Sequence, residues 1–167
     1  VFAVPRKPVN EAPDYDGLED KNGTDYLLTY EAMDAGSLKF NHKAYDVILK
    51  GTNYLYPYVM EQRILAGSFF SQDAQKSKRK LAVMNKKAAF EIFGNLEITN
   101  ADIQINGQTF SVIGVIDDWD KNNMNIYIPA CHSESYANAF AMRISGNNQT
   151  PLATAENKFK PFGITDN

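Results

Sequence analysis

Ile103-Gln104-Ile105-Asn106-Gly107-Gln108-Thr109-Phe110-Ser111-Val112-Ile113-Gly114-Val115 is the stretch that decides the fold. Asn-Gly between two alternating apolar runs is the strongest short hairpin signal, because both central residues of a type I′ turn need positive φ. Ile103 and Ile105 then share one face of the first strand, and Phe110 and Val112 share one face of the return strand. The spacing predicts a β-hairpin over Asp102 to Asp117 with its turn at Asn106-Gly107. Gly114, between Ile113 and Val115, allows a bulge or a close backbone approach near the end of the second strand.

Upstream, Leu81-Ala82-Val83-Met84 reads as a short apolar strand, with Asn85 as the N-cap of a helix. Ala88, Ala89, Phe90, Ile92 and Phe93 follow at near-helical spacing and Gly94 stops them. Phe93 is expected on the buried face of that helix. Gly67-Ser68-Phe69-Phe70 turns the chain, and Thr52-Asn53 can cap a short helix over Tyr54 to Met60 with Pro57 in its first turn. Tyr26 to Ala32 alternates as a strand that a turn at Asp34-Ala35-Gly36-Ser37 should end. Leu38 to Phe40 and Tyr45 to Leu49 form two more, joined at Asn41-His42. Residues 1 to 25, with Pro5, Pro8 and Pro13, read as irregular. Downstream, Ile126 to Ile128 ended by Pro129 and Ala139 to Ile144 are strands, and Pro151 to Lys160 is a helix capped by Thr150. Strands grouped rather than alternating with the three helices indicate an α+β fold.

A length of 167 residues suits one compact unit, and 44% hydrophobic with 22% charged residues excludes wholesale disorder. A net charge of −3 argues against a strongly basic nucleic-acid binder. The one dense basic run, Lys76, Lys78, Arg79 and Lys80, reads as a solvated loop. The longest apolar runs, such as Val112 to Ile116, are strand-sized, so nothing here reads as a membrane span. The first methionine is Met33 and the opening lacks a signal-peptide pattern, which reads as a processed chain or a fragment of something larger.

Catalysis needs a nucleophile with a base, a metal constellation or a phosphate cradle. The histidines are His42 and His132 alone. Cys131, next to His132, would point to the opposite face in a strand, which reads as a buried thiol beside a surface imidazole. Asp117, Asp118 and Asp120 with Asn122, Asn123 and Asn125 are the most ligand-like group, since hard cations take carboxylate and amide oxygens. As an EF-hand loop from Asp118 the match is partial, with Asn123 where glycine belongs and Pro129 where glutamate belongs. A solvated turn accounts for it, and whether the Asp117 to Asn125 loop holds a cation stays open at this point. Glycine-rich phosphate motifs are absent, and the N-glycosylation patterns at Asn22-Gly23-Thr24 and Asn148-Gln149-Thr150 are short enough to arise by chance. Tyr54, Tyr56 and Tyr58 with Phe69 and Phe70 read as core rings whose hydroxyls reach an edge, rather than as a binding surface. No catalytic, cofactor-binding or metal-ligating residue is assigned, no cofactor is expected, and partner-binding residues are not identified.

Taken in order, Gly67 to Phe70, Leu81 to Asn85 leading to Ala89 and Phe93-Gly94, Ile105 to Val115, and Ile126-Tyr127-Ile128-Pro129 resemble the periplasmic core domain of MacB-type ABC permeases over roughly residues 45 to 130. The resemblance implies a porter-like sheet-and-helix lobe built from both chain ends, residues 1–50 and 139–167, with an inserted mostly-β lobe at 51–138. It further implies a non-catalytic extracytoplasmic domain, on the periplasmic or extracellular side of the cell membrane, set between membrane spans. Its partners would be a second permease copy met through those spans, a cytoplasmic ATPase and an adaptor protein, with no nucleic acid. The domain would transmit ATP-driven motion and contact substrate or adaptor. The other reading kept open is an extracellular ligand-binding or peptide-sensing domain, which a deep, mostly apolar pocket with convergent polar groups would favour.

Overall fold

Two tight turns set the register of the sheet. Asn41 and His42 have φ of 47° and 64°, Asn106 and Gly107 have φ of 47° and 80°, and in each case the flanking residues pair directly, Phe40 with Lys43 and Ile105 with Gln108. Both are the positive-φ pairs that match the twist of antiparallel strands. The hairpin expected over Asp102 to Asp117 is present, as β-strands Asp102–Ile105 and Gln108–Asp117.

The computed structural model describes residues 2–5, 26–98, 100–144 and 164–165. Ten strands fall within them: β1 Phe2–Pro5, β2 Tyr26–Phe40, β3 Lys43–Thr52, β4 Arg63–Gly67, β5 Leu81–Asn85, β6 Asp102–Ile105, β7 Gln108–Asp117, β8 Asn125–Pro129, β9 Ala139–Ile144 and β10 Ile164–Thr165. Helices α1 Tyr56–Val59, α2 Gln72–Lys76 and α3 Lys86–Phe93 and a 3-10 turn at Ala130–His132 complete the described elements. The sheet order is β10-β1-β9-β2-β3-β8-β5-β7-β4. β6 bonds to both β2 and β7, closing β2, β3, β8, β5, β7 and β6 into a ring. Closure removes free edges at that end. At the other end the ring opens, because β2 pairs β9 before it reaches β6, and β7 passes from β6 to β4. The chain is a mixed, sheet-dominated α+β domain, with β3/β8 and β5/β7 parallel and the other pairs antiparallel.

Alternation sorts the side chains into two cores. Leu38, Leu49, Met84, Ile103, Ile105, Phe110, Val112, Val115, Ile126 and Ile128 fill the inside of the ring, and Ala88, Ala89 and Ile92 of α3 pack against them. Val83, Ile116 and Tyr127 point outward, where Tyr56, Phe69, Phe70 and Ala74 cover them. β5 and β8 are therefore buried on both faces. β7 changes parity midway: Phe110 and Val112 face inward, and so does Val115. The register shift between Ala82 and Val83, which brings Val112 and then Gly114 opposite β5, accounts for the extra residue. Only glycine fits there, since a Cβ at Gly114 would lie 2.2 Å from the Ser68 carbonyl oxygen. The bulge or close approach expected at Gly114 is both.

The structure corrects several expectations. No turn interrupts β2 at Asp34 to Ser37; the pairing with β3 runs unbroken from Glu31↔Thr52 to Phe40↔Lys43. Gly36 makes room for Leu49, whose Cγ would sit 2.6 Å from an added Cβ, and Asp34 has partners elsewhere. Asn53 does not cap α1, whose N-cap is Leu55 without a side-chain bond, while Pro57 does sit in its first turn. Instead Asn53 is buried, accepting from Thr29 Oγ1 at 2.7 Å and donating to the Leu28 carbonyl at 2.9 Å. Phe93 is only half-buried and stacks on Phe40 at 4.3 Å; Ile92 takes the core position. The opening segment is not irregular throughout, since Phe2–Pro5 pairs with β9. The caps of α3 are as expected: Asn85 Oδ1 accepts the Ala88 N–H at 2.9 Å, and Gly94 ends the helix at φ 77°. The Pro151 to Lys160 helix and both glycosylation patterns lie outside the described residues.

Candidate functional site

The polar groups that sequence reading scattered come together on the outer face of the ring. Glu31 on β2 and Lys50 on β3 are diagonal neighbours, given the pairing of Met33 with Lys50, and form an ion pair at 3.3 Å with both side chains largely buried. Tyr56 of α1 donates its hydroxyl to Glu31. Its ring lies 5.3 Å from that of Tyr127, over which the Lys50 ammonium also sits at 5.7 Å. Tyr127 donates to Asp118 Oδ2 at 2.8 Å. Burial pushes both phenols well above the ordinary tyrosine range; next come the charge of Glu31 at Tyr56, and the influence of Tyr56 and Asp118 at Tyr127. Both stay protonated donors. They clamp carboxylates and do not serve as bases.

The Asp117 to Asn125 loop closes on itself. Asp118 accepts from Asn125 Nδ2 at 2.7 Å and Asn85 Nδ2 at 3.2 Å. Asp120 accepts from the backbone of Asn122 and Asn123 at 2.9 and 3.0 Å and from the side chains of Asn123 and Asn125 at 3.0 and 3.1 Å. The Asn123 side-chain amide leads these bonds in holding Asp120 well below the usual carboxylate range, against an opposing push from burial. Amide donors thus occupy the oxygens that a cation would need, and among the described residues no group of three or more His, Cys, Asp or Glu is placed to hold a metal. Asn85 ties the loop to α3, because its side chain accepts from Ala88 and Asn125 N–H and donates to the Asn123 carbonyl.

A second carboxylate anchors the chain after β8. Asp34 Oδ2 accepts from Ser133 Oγ at 2.6 Å and from the Glu134 and Ser135 N–H groups at 3.1 and 3.3 Å. Burial pushes its pKa up, but the bonds from Ser133, Ser135 and Glu134 together hold it below the usual value. Cys131 is not buried as expected but exposed, on the 3-10 turn. His132 donates toward the Lys78 carbonyl at 3.1 Å and packs edge-on against Phe110. His42 is exposed on its turn, far along the sequence and the sheet from either. The basic run from Lys76 to Lys80 is exposed, as read, though Lys76 belongs to α2. Of the aromatic group, Tyr56, Phe69 and Phe70 are core, whereas Tyr58 is exposed.

Sequence reading missed the Glu31–Lys50 pair, Tyr127 as a buried donor, and Trp119. The first had no local signal, since its partners are 19 positions apart on strands whose register only the Asn41–His42 turn fixes. A cavity of about 200 Å³ lies beside the ion pair, lined by Tyr30, Tyr56, Met60 and Phe140. No helix among the described residues is long and apolar enough to cross a membrane.

Known proteins match this chain along most of its length. The MacB-like periplasmic core domain family matches residues 11–159. The macrolide export ATP-binding/permease protein MacB of Marinobacter nauticus is 24% identical over 82 residues, 49% of this chain but 13% of that protein. Among solved structures, the periplasmic region of MacB from Actinobacillus actinomycetemcomitans superposes with a TM-score of 0.79 at 18% identity, covering 96% of this chain and 81% of the other. The extracellular domain of the noncanonic ABC-type transporter YknZ from Gram-positive bacteria gives 0.71 at 18% identity, covering 97% and 94%. With the sequence match spanning the hairpin, the α3 unit and both flanks, and the same fold in these solved domains, the chain belongs to the family of MacB-like periplasmic core domains.

Proposed function

We propose that this chain works as the extracytoplasmic domain of an ABC transporter permease, a non-catalytic body that carries ATP-driven motion from membrane spans to a substrate or an adaptor protein. Family membership supports the setting. The observation that carries the mechanical reading is the unbroken hydrogen-bonded path from β10 and β1 to β4, with the ring in its middle. A sheet closed on itself resists shear, so displacement at one edge moves the whole body. In this reading residues 1–50 and 139–167 form the porter-like lobe and 51–138 the inserted lobe. A second permease copy and a cytoplasmic ATPase act through the spans. The phenols clamp carboxylates and the loop carboxylates are held by amides, which leaves these groups suited to stiffness rather than to chemistry.

The test is a distance measurement in the full-length protein reconstituted in lipid. Spin labels on the two copies of this domain should change separation between the nucleotide-free and vanadate-trapped states. Identical distances in both states would overturn the mechanical reading. The ligand-sensing alternative draws on the pocket of about 200 Å³ beside Glu31 and Lys50, which is smaller than the roughly 300–1,000 Å³ of typical ligand sites, and on two open surface grooves of about 490 Å³.

A further inference from the structure

The pocket of about 200 Å³ lies on the outer face, where α1 packs over the seam between β2 and β9. Its floor is low because β2 pairs Thr29 with Ala141 and Glu31 with Ala139, and residues directly opposite share a face. Two methyl groups thus stand where larger side chains would fill the space. Tyr56 and Met60, at the two ends of α1, form the opposite wall. Arg143 of β9 holds α1 in place over this recess, since it donates to the Tyr58 carbonyl at 3.2 Å and pairs with Glu61 at 3.3 Å.

One polar group in the lining is incomplete. Glu31 Oε2 takes both bonds of its carboxylate, from the Tyr56 hydroxyl and from Lys50 at 3.3 Å, and Oε1 has no partner among the described residues. A carboxylate oxygen largely withdrawn from water gains from a donor. The charges themselves cancel, Glu31 against Lys50 and, beside the pocket, Glu61 against Arg143. An ion of either sign therefore finds little net attraction, whereas a neutral group that donates one hydrogen bond finds an acceptor. Size restricts the occupant further. An apolar cavity of about 150 Å³ takes up benzene, so this pocket suits a single substituted ring and excludes a macrocycle.

We propose that this pocket is a binding site for a small neutral aromatic molecule carrying one O–H donor. The ring lies on the alanine floor beside Tyr56 and Met60, and the hydroxyl donates to Glu31 Oε1. A mostly apolar recess with one convergent polar group is the usual build of a small-molecule site. Occupancy joins α1 to β2 and β9 through the ligand, and binding to the folded chain alone raises its stability by mass action. The site stands apart from the permease reading and needs neither spans nor ATP.

Met60 is one of five methionines, so methyl labelling gives a short spectrum in which Met60→Leu identifies the reporter. The probes are phenol, anisole, benzoate and benzylamine, which share one ring. Phenol should shift the Met60 methyl signal saturably, with a dissociation constant on the order of 1 mM, within reach of so small a ligand. Anisole keeps the ring and lacks the donor. It should bind about tenfold more weakly, the worth of one hydrogen bond to a charged acceptor. Benzoate and benzylamine, both ionised at neutral pH, should bind no better than anisole. Ala139→Leu should fill the floor and abolish the phenol shift while leaving the melting temperature unchanged or higher, as cavity-filling changes do. Anisole matching phenol, either ion exceeding it, or a shift that survives Ala139→Leu would overturn the proposal. So would a Met60 methyl signal that phenol leaves in place. The ligand series needs no variant, so it decides the question even where Ala139→Leu fails to fold.

Discussion

The inside of the ring and its outer face are held by different physics. Inside, the fully buried side chains are nearly all aliphatic, with one aromatic ring at Phe110 and the half-buried rings of Phe93 and its neighbours at the margin, and no hydrogen bond is needed. Outside, four buried aromatic rings, Tyr56, Phe69, Phe70 and Tyr127, include two hydroxyl donors, and an ion pair lies against Tyr56 and Tyr127. The inner core is stabilised by apolar area and close fit, where volume changes are felt directly. The outer layer has desolvated polar groups, so its stability depends on every partner being present. The same strands serve both, since Ile126 and Ile128 point in while Tyr127 points out.

The sharpest way to break this contrast is to empty one position on each face. Phe110→Ala should cost about 3–5 kcal/mol, the range for a buried ring, seen as a large fall in the urea midpoint. A loss under 1 kcal/mol would show that the ring interior tolerates a void. Outside, Lys50→Ala should cost about 2–3 kcal/mol, below the roughly 3–5 kcal/mol of a fully buried pair because both side chains keep some solvent contact. The double change Glu31→Gln with Lys50→Met should recover most of that loss. If the losses of Glu31→Gln alone and Lys50→Met alone summed to that of the double variant, the pair would not be coupled and the outer layer would be held by area alone.

Phe93 sharpens the inner side. Half-buried against Phe40, it should lose about 1.5–2.5 kcal/mol on change to alanine, roughly half the cost of a fully buried ring. A loss equal to that of Phe110→Ala would place it in the core after all. The smallest effect concerns acid. Asp120 has a depressed folded-state pKa, so its contribution is present above the unfolded value near 3.9 and is lost as pH falls toward the folded value. Between pH 5 and pH 3 the melting temperature should therefore fall less steeply in Asp120→Asn than in the parent chain. Parallel curves would mean that the loop opens before it titrates.

The inner core could be read from sequence and the outer network could not. Asn106-Gly107 fixed a register, and the alternation around it put Ile103, Ile105, Phe110 and Val112 on one face, where they are found. Asn85 and Gly94 marked a helix through local cap chemistry that works at any site. The turn misread at Asp34 to Ser37 shows the limit of the same logic. Asp and Gly favour turns, but Gly36 answers to Leu49 across the sheet and Asp34 to Ser133, 99 positions away. Phe93 reads as fully buried from sequence yet is half-buried, because neighbouring apolar residues on a short helix leave its phase loosely determined. Trp119 carried no periodic signal, standing alone in a polar loop.

Asn85 has a consequence of its own. One amide oxygen caps α3 through the Ala88 N–H and also receives the Asn125 N–H at the start of β8, while its nitrogen holds the loop between β7 and β8. A helix start and a strand start thus share a single acceptor, and neither can open without releasing the other. In deuterium labelling, the Ala88 and Asn125 amides should exchange as one cooperative unit, although they lie 37 positions apart in the chain. A surface groove between Phe90 of α3 and Trp119 of that same loop inherits its shape from this shared bond and would lose it in one step.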